Sequence, residues 1–258
     1  MRSSQALYSA LAPIYREHFE VTHRRAYDAL AWEAIEPLLP GRGPVVDAGC
    51  GVGRWAPRLL ALGYDVIGIE QAPGMIAELR RSEPGPGFTL IEESMETARL
   101  PDGAAGMVLA LGSLQYTADP EGTIARFGSW VRPGGTVAVL VDSLVGLVLE
   151  LLRDGKFGEA LTRLQARTGR WAAAGHEAEM HLMDAERLRQ AFVSAGLADV
   201  DVRGLLMTAA PLGPERLAGH LGQDPDAHLS LERQLSCEPV LADVGKQLLA
   251  TGRRPDGR

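Results

Sequence analysis

The chain has 258 residues, 46% hydrophobic and 23% charged, the balance of an ordinary globular protein with one sizeable core. Its 26 Lys and Arg against 33 Asp and Glu leave a formal charge of -7, which weighs against nucleic-acid binding through basic phosphate contacts. No apolar run reaches the ~18 residues that span a bilayer, Met1 to Ala10 lacks a signal-peptide layout, and Cys50 and Cys237 make neither a disulfide framework nor a zinc motif, so a cytoplasmic protein is expected.

Residues 1–40 carry Tyr8 and Tyr15, seven apart and therefore on one side of a helix that Pro13 bends. Residues 44–142 then alternate short apolar runs with amphipathic segments, the pattern of a parallel sheet wrapped by helices. Val45 and Val46 make a buried strand ending at Asp47, and the next helix keeps Trp55, Leu59 and Leu62 on one face until Gly63. Val66, Ile67 and Ile69 make the second strand, ending at Glu70, and Pro73 opens a helix carrying Met75, Ile76 and Leu79. After the break at 83–87 come strands at Phe88–Ile91 and Met107–Leu111. A helix capped by Asp119, with Pro120 at its first position, then buries Ile124, Phe127 and Val131. The Pro133-Gly134-Gly135 turn leads into a fifth strand, Thr136–Val141.

Between Ser143 and Met183 the apolar stretch Leu144–Leu152 and the helical spacing of Phe157, Ala160, Leu161 and Leu164 predict two inserted helices whose apolar faces must be buried. Standing after the fifth strand, they lie over the carboxyl edge of the sheet. Gly155, Gly158, Gly169 and Gly175 offer points of flexure, and a mobile lid carrying acceptor specificity is expected; extra scaffold or a dimer face is the alternative. In residues 184–258, Asp184 caps a helix carrying Leu188, Ala191, Phe192 and Ala195 up to Gly196. Val200 and Val202 alternate as a sixth strand, 205–245 form a helical insertion, and Lys246–Thr251 make a seventh strand with no room for a crossover beyond it, hence antiparallel.

The informative stretch is Val45 to Trp55, in which Gly49, Gly51 and Gly53 let the backbone approach a ligand at a helix N-terminus. Gly51 to Ala56 also fits the G-x-G-x-x-G/A dinucleotide pattern. Asp47 discriminates: a carboxylate at the end of strand one repels a pyrophosphate and suits a ligand with an ammonium group, such as the amino-acid end of S-adenosylmethionine.

With these residues, with Glu70 ending strand two, and with Leu100-Pro101-Asp102-Gly103 and Arg132-Pro133-Gly134-Gly135 preceding strands four and five, the sequence resembles the class I S-adenosylmethionine-dependent methyltransferases, in particular the small-molecule, methyltransferase type 11-like group. The resemblance covers residues 44–142 closely and 184–203 loosely. It implies a single α/β domain over 1–258 with a Rossmann-like seven-stranded sheet, mostly parallel with an antiparallel last strand, and helices on both faces. Around this core lie an N-terminal cap (1–40), an inserted lid (143–183) and a C-terminal part (184–258). It also implies S-adenosylmethionine as cofactor, surrounded by Tyr15, Asp47, Gly49, Cys50, Gly51, Glu70, Gln71, Met75, Ser94, Met95, Leu111 and Ser113. Independently of the family, a carboxylate at the end of strand two can accept from both ribose hydroxyls. The family's acidic adenine contact falls on Ser94, with Glu93 beside it, and Gly106 stands where the family has an acidic residue. Arg24 and Arg25 are candidates for the methionine carboxylate and Tyr116 for the acceptor.

The expected activity is methyl transfer to a small organic acceptor at oxygen, nitrogen or carbon, an in-line displacement in which positioning supplies much of the acceleration. A hydroxyl acceptor would benefit from a histidine poised near neutral pH. Among His18, His23, His176 and His181, His181 is the first candidate and His176 the second. Neither a metal, a nucleic acid nor a membrane is expected as partner, and the chain is read as a monomer or homodimer. Two alternatives stand beside this reading: an S-adenosylmethionine-binding protein with other chemistry or an interaction role, and a nicotinamide-dependent oxidoreductase, against which Asp47 and the Pro133-Gly134-Gly135 turn argue.

Overall fold

Strand β1 (Val45–Ala48) is buried along its whole length, as its Val-Val run predicts, because a strand covered on both faces needs no polar alternation. The computed structural model describes residues 4–18 and 21–256, and the side chains of His18 and His23 lie outside what it describes. Before β1 stand helices α1 (Ser4–Leu11), α2 (Tyr15–His18) and α3 (Thr22–Ile35). After it come α4 (Ala56–Ala61), β2 (Val66–Ile69), α5 (Pro73–Ser82), β3 (Phe88–Ile91), β4 (Ala105–Leu111), α6 (Pro120–Trp130) and β5 (Val131–Asp142). Asp119 caps α6 as expected, its Oδ1 accepting from Gly122 N at 2.9 Å.

Three local expectations are corrected. Leu62 is 51% exposed because α4 ends at Ala61 and the chain turns at Gly63. β5 begins at Val131, before the Pro133-Gly134-Gly135 run, which becomes an irregularity inside one strand where the pairing with β4 shifts register. Gly106 lies inside β4, and its lack of a side chain is a packing requirement: a Cβ there would sit 2.5 Å from the Arg42 carbonyl and 2.8 Å from Pro40.

The segment after β5 contains the two expected helices, α7 (Leu144–Arg153) and α8 (Phe157–Ala166), and then an antiparallel hairpin, β6 (Thr168–Ala173) and β7 (His176–His181), that the sequence reading lacks. Its turn is Ala174-Gly175 with φ of +49° and +75°, the tight-hairpin geometry usually announced by Asn-Gly or Asp-Gly; an alanine in the first position hides it. The apolar spacing of α8 does not become a buried face either. Ala160 is buried, but Phe157, Leu161 and Leu164 are 67%, 56% and 48% exposed. The chain continues with α9 (Ala185–Ser194), β8 (Ala198–Leu205), α10 (Ala209–Gln223, kinked at Gly213), α11 (Pro225–Ser236) and β9 (Gln247–Arg253).

The seven strands of the main sheet lie in the order β3-β2-β1-β4-β5-β9-β8, with β9 antiparallel to both neighbours. Because side chains alternate along a strand, the sheet buries two faces. Val46, Val108 and Val139 pack with Phe127 of α6 and Phe192 of α9, and Val45, Leu109 and Leu140 pack with Ile35 of α3 and Leu217 of α10. The parallel strands therefore deliver the chain to one common carboxyl edge.

At the β8 end of that edge, Glu232 of α11 is 1% exposed and accepts from Met207 N at 2.7 Å, from Thr208 N at 3.0 Å and from the Thr208 hydroxyl. A carboxylate at the N-terminus of α10 complements the helix dipole and satisfies otherwise orphaned donors. Glu232→Ala should cost about 2–4 kcal/mol, read as a lower urea midpoint at unchanged slope, and Glu232→Gln should cost less because it keeps an acceptor.

Candidate functional site

β1 and β2 end side by side, and the loop leaving β1 is tied at once to its neighbour: Gly49 N and Cys50 N donate to the Ile69 carbonyl at 2.8 and 3.1 Å. The loop has positive φ at Gly49, Gly51 and Gly53, a conformation that side-chain-bearing residues avoid. Gly49 has a second reason to be glycine, since a Cβ would meet Ser113 Cβ at 2.4 Å. Ser113 in turn donates from Oγ to the Ala48 carbonyl at 2.6 Å, closing the end of β4 onto the end of β1. At Gly51 a Cβ would project between Tyr15 Cε1 and Met75 Sδ, 3.9 and 4.0 Å away; glycine keeps that space open.

Glu70 fastens this loop to the next one. Its Oε2 accepts from Gly51 N at 2.9 Å, and its Oε1 accepts from Gln71 N and Ala72 N at 2.8 Å each. Burial raises its pKa while the three N–H groups pull it down. Oε2 keeps acceptor capacity toward the cleft.

The cleft so formed holds about 70 Å³. Of the residues expected around a cofactor, Tyr15, Gly49, Gly51, Glu70, Gln71, Met75, Ser94, Met95, Leu111 and Ser113 line it, together with Glu93 and Tyr116. Asp47 and Cys50 do not. Cys50 is 5% exposed, with its thiol beneath the loop against Gly68, and burial pushes its pKa up. Asp47 is 2% exposed, its Oδ2 has no hydrogen-bond partner, and burial pushes its pKa up to about 7 against the pull of the Arg54 guanidinium. Asp47, expected to suit an ammonium group, thus stands behind the cleft lining rather than in it. Its carboxyl sits beneath the cleft lining with one oxygen unpartnered, and a cationic ligand in the cleft would stabilise its ionised form through space.

A larger chamber of about 290 Å³ adjoins the cleft, and Tyr8, Tyr15, Leu111, Gly112 and Tyr116 line both. Tyr8 is the hub of its aromatic wall. Its ring centroid lies 5.3 Å from Tyr116, 5.4 Å from Trp171 and 6.2 Å from Tyr15. Burial raises the pKa of all three tyrosines, so they present neutral phenols. The charged members are Arg24, Arg54, Asp142, Glu150 and Lys246; Arg54 pairs with Asp28, and Lys246 Nζ meets Glu150 Oε1 at 2.6 Å. Arg24 thus reaches the chamber, whereas Arg25 is exposed.

Neither expected histidine lines either cavity. His176 is exposed at the start of β7. His181 alternates with Met180 and Leu182, both of which line the chamber, so the strand's twofold period turns it away, toward Glu121. Among the described residues, no group of three or more His, Cys, Asp and Glu is placed to hold a metal, and no helix is long and apolar enough to cross a membrane. Sequence reasoning missed Gln115, Asp142, Trp171 and Lys246. Asp142 had a signal: it ends the apolar run of β5 as Asp47 ends that of β1.

Residues 46–139 match the family model of a methyltransferase domain. A trans-aconitate 2-methyltransferase of Delftia acidovorans is 34% identical over 125 residues, 47% of this chain and 46% of that protein. A ubiquinone biosynthesis O-methyltransferase of Methylocella silvestris is 29% identical over 165 residues, 63% of this chain and 60% of that one. The chain thus spans about half the length of these curated relatives. A solved methyltransferase structure from Thermotoga maritima superposes with a TM-score of 0.61 at 16% identity, covering 97% of this chain and 99% of that one. Motif, sheet order and matches agree on residues 46–139 as a methyltransferase domain of the class I S-adenosylmethionine-dependent kind, with S-adenosylmethionine as the cofactor of that domain.

Proposed function

We propose that the chain transfers the methyl group of S-adenosylmethionine to a small organic acceptor held in the larger chamber. The observation that carries this reading is the shared wall: Tyr8, Tyr15, Leu111, Gly112 and Tyr116 line both the cleft that gathers the expected cofactor residues and a chamber of about 290 Å³, close to the lower end of small-ligand cavities. The bound cofactor supplies an electrophilic methyl carbon on a sulfonium, with a neutral thioether as leaving group.

The chain's own part is placement and exclusion of water. Glu70 would accept from the ribose hydroxyls through the capacity left on its Oε2, Ser94 or Glu93 would receive the adenine amino group, and Arg24 would face the methionine carboxylate. Tyr116 stands at the junction, where the acceptor meets the methyl group. The inserted segment contributes Leu147 and Glu150 from α7 and Trp171 and Met180 from the hairpin to the chamber, which supports a role for it in acceptor choice. α8 contributes nothing to either lining. The trans-aconitate relative acts on a small organic acid, and an acceptor of that size is compatible with this chamber.

Isothermal titration should show binding of S-adenosylhomocysteine by the folded chain. Asp47 separates affinity from stability. Its folded pKa of about 7 lies above the ordinary aspartate value of 3.8, so the folded state binds the proton more tightly than the unfolded one. Stability is therefore full below the unfolded value and falls as pH rises through about 7. Asp47→Asn should raise the melting temperature of the ligand-free chain at pH ~8, with a ceiling of about 4 kcal/mol, and weaken S-adenosylhomocysteine about tenfold or more. In the parent chain that affinity should fall with acidification below pH ~7, and the variant should lack this dependence. Hydrogen exchange tests the cap: binding of S-adenosylhomocysteine should protect residues 4–11, whose Ser4 and Tyr8 line the cleft, more than residues 157–166.

A further inference from the structure

Asp142 ends β5 at the same sheet edge as Asp47 and Glu70, yet it lines the larger chamber and not the cofactor cleft. Gln115, 3% exposed, holds it from two sides. Its Nε2 donates to Asp142 Oδ2 at 2.9 Å, and its Oε1 accepts from Asp142 N at 3.3 Å. Across the β5–β9 pair, the Gln247 side chain hydrogen-bonds the same carboxyl. An amide engaged at both ends fixes where the carboxyl sits, while the carboxylate's roughly four lone-pair directions leave it able to accept more. Glu150, the chamber's other carboxylate, is committed to Lys246; the hydrogen-bond partners of Asp142 are amides.

We infer that Asp142 is the proton acceptor of the methyl transfer and Gln115 its positioning residue, so that the acceptor is a molecule whose nucleophilic oxygen or nitrogen carries a proton. The inference rests on the methyltransferase reading of the adjoining cleft. As the acceptor's lone pair forms the bond to the methyl carbon, the C–S bond breaks with its electron pair going to sulfur, and the acceptor's O–H or N–H proton passes to the Asp142 carboxylate. One sulfonium and one carboxylate become a neutral thioether and a neutral acid, a loss of charge that the burial of Asp142 favours. The groups facing Asp142 fit this exchange. Burial raises its pKa most, Lys246 and Arg24 lower it, and Glu150 raises it, while Tyr8, Tyr27 and Tyr116 face it as neutral phenols.

The test uses the full chain and two probes that differ by the sulfonium methyl group, S-adenosylmethionine and S-adenosylhomocysteine, titrated calorimetrically in buffers of different ionisation enthalpy across the acidic and neutral range. An ionised Asp142 beside the methyl group should favour the cationic probe by about tenfold over the ratio in Asp142→Asn. It should also release protons with that probe beyond the number seen in the variant. Affinity for S-adenosylhomocysteine should stay within about twofold in Asp142→Asn. Gln115→Leu removes a donor to the ionised carboxyl, so the pH window of the extra proton release should move upward, a shift that a merely structural glutamine would not cause. If Asp142→Asn leaves the difference between the probes unchanged while S-adenosylhomocysteine still binds, the assignment is overturned and the methyltransferase reading stands. Methyl transfer confined to carbon acceptors, or undiminished in Asp142→Asn, overturns it as well. Failure of the folded chain to bind either probe overturns both readings together.

Discussion

Three backbone N–H groups from two different loops converge on the carboxylate of Glu70. This one side chain joins the glycine loop after β1 to the start of α5, and the smaller cleft lies against both. Without it, the positive-φ loop would have one fewer partner for its amides, and the turn leading into α5 would lose the acceptor of the Gln71 and Ala72 amides. The same carboxylate forms part of the cleft wall, so the group that shapes the site is also offered to the ligand.

Around that anchor the site is built from charge held at a cost. Asp47 is buried without a partner for one oxygen, which the folded chain tolerates because β1 and its neighbours over-determine its position. Such a group destabilises the empty protein and favours a cationic ligand, so stability and affinity oppose each other at one residue. The chamber follows a different rule: its cations are largely matched within the protein, Arg54 by Asp28 and Lys246 by Glu150, and its walls are phenols and an indole.

The aromatic wall draws on three distant parts of the chain. Tyr8 comes from α1, Tyr15 from α2, Tyr116 from the turn after β4 and Trp171 from the hairpin. Their edge and tilted contacts bring the N-terminal cap and the inserted hairpin to the carboxyl edge of the sheet, where each alone would leave large apolar surface in water. The shared wall between cleft and chamber is a product of this convergence.

The sequence by itself determined the sheet, most of its helices and most of the residues that line the smaller cleft, because those features depend on local chemistry. Val45-Val46 and Val66-Ile67 declare buried strands, Asp119-Pro120 and Asp184 declare helix starts, and Asp47, the three glycines and Glu70 stand at strand ends whose direction the βα alternation dictates. Only the tertiary structure decided the larger chamber. Gln115 and Asp142 meet across 27 residues, and the hairpin bearing Trp171 turns through an Ala-Gly pair with no characteristic signal. The histidine expectation failed for the same reason. Proximity in sequence to the edge of the sheet does not say which way a strand's twofold alternation will point a side chain, and that direction, set by the packing of β7, put Met180 in the chamber and His181 outside it.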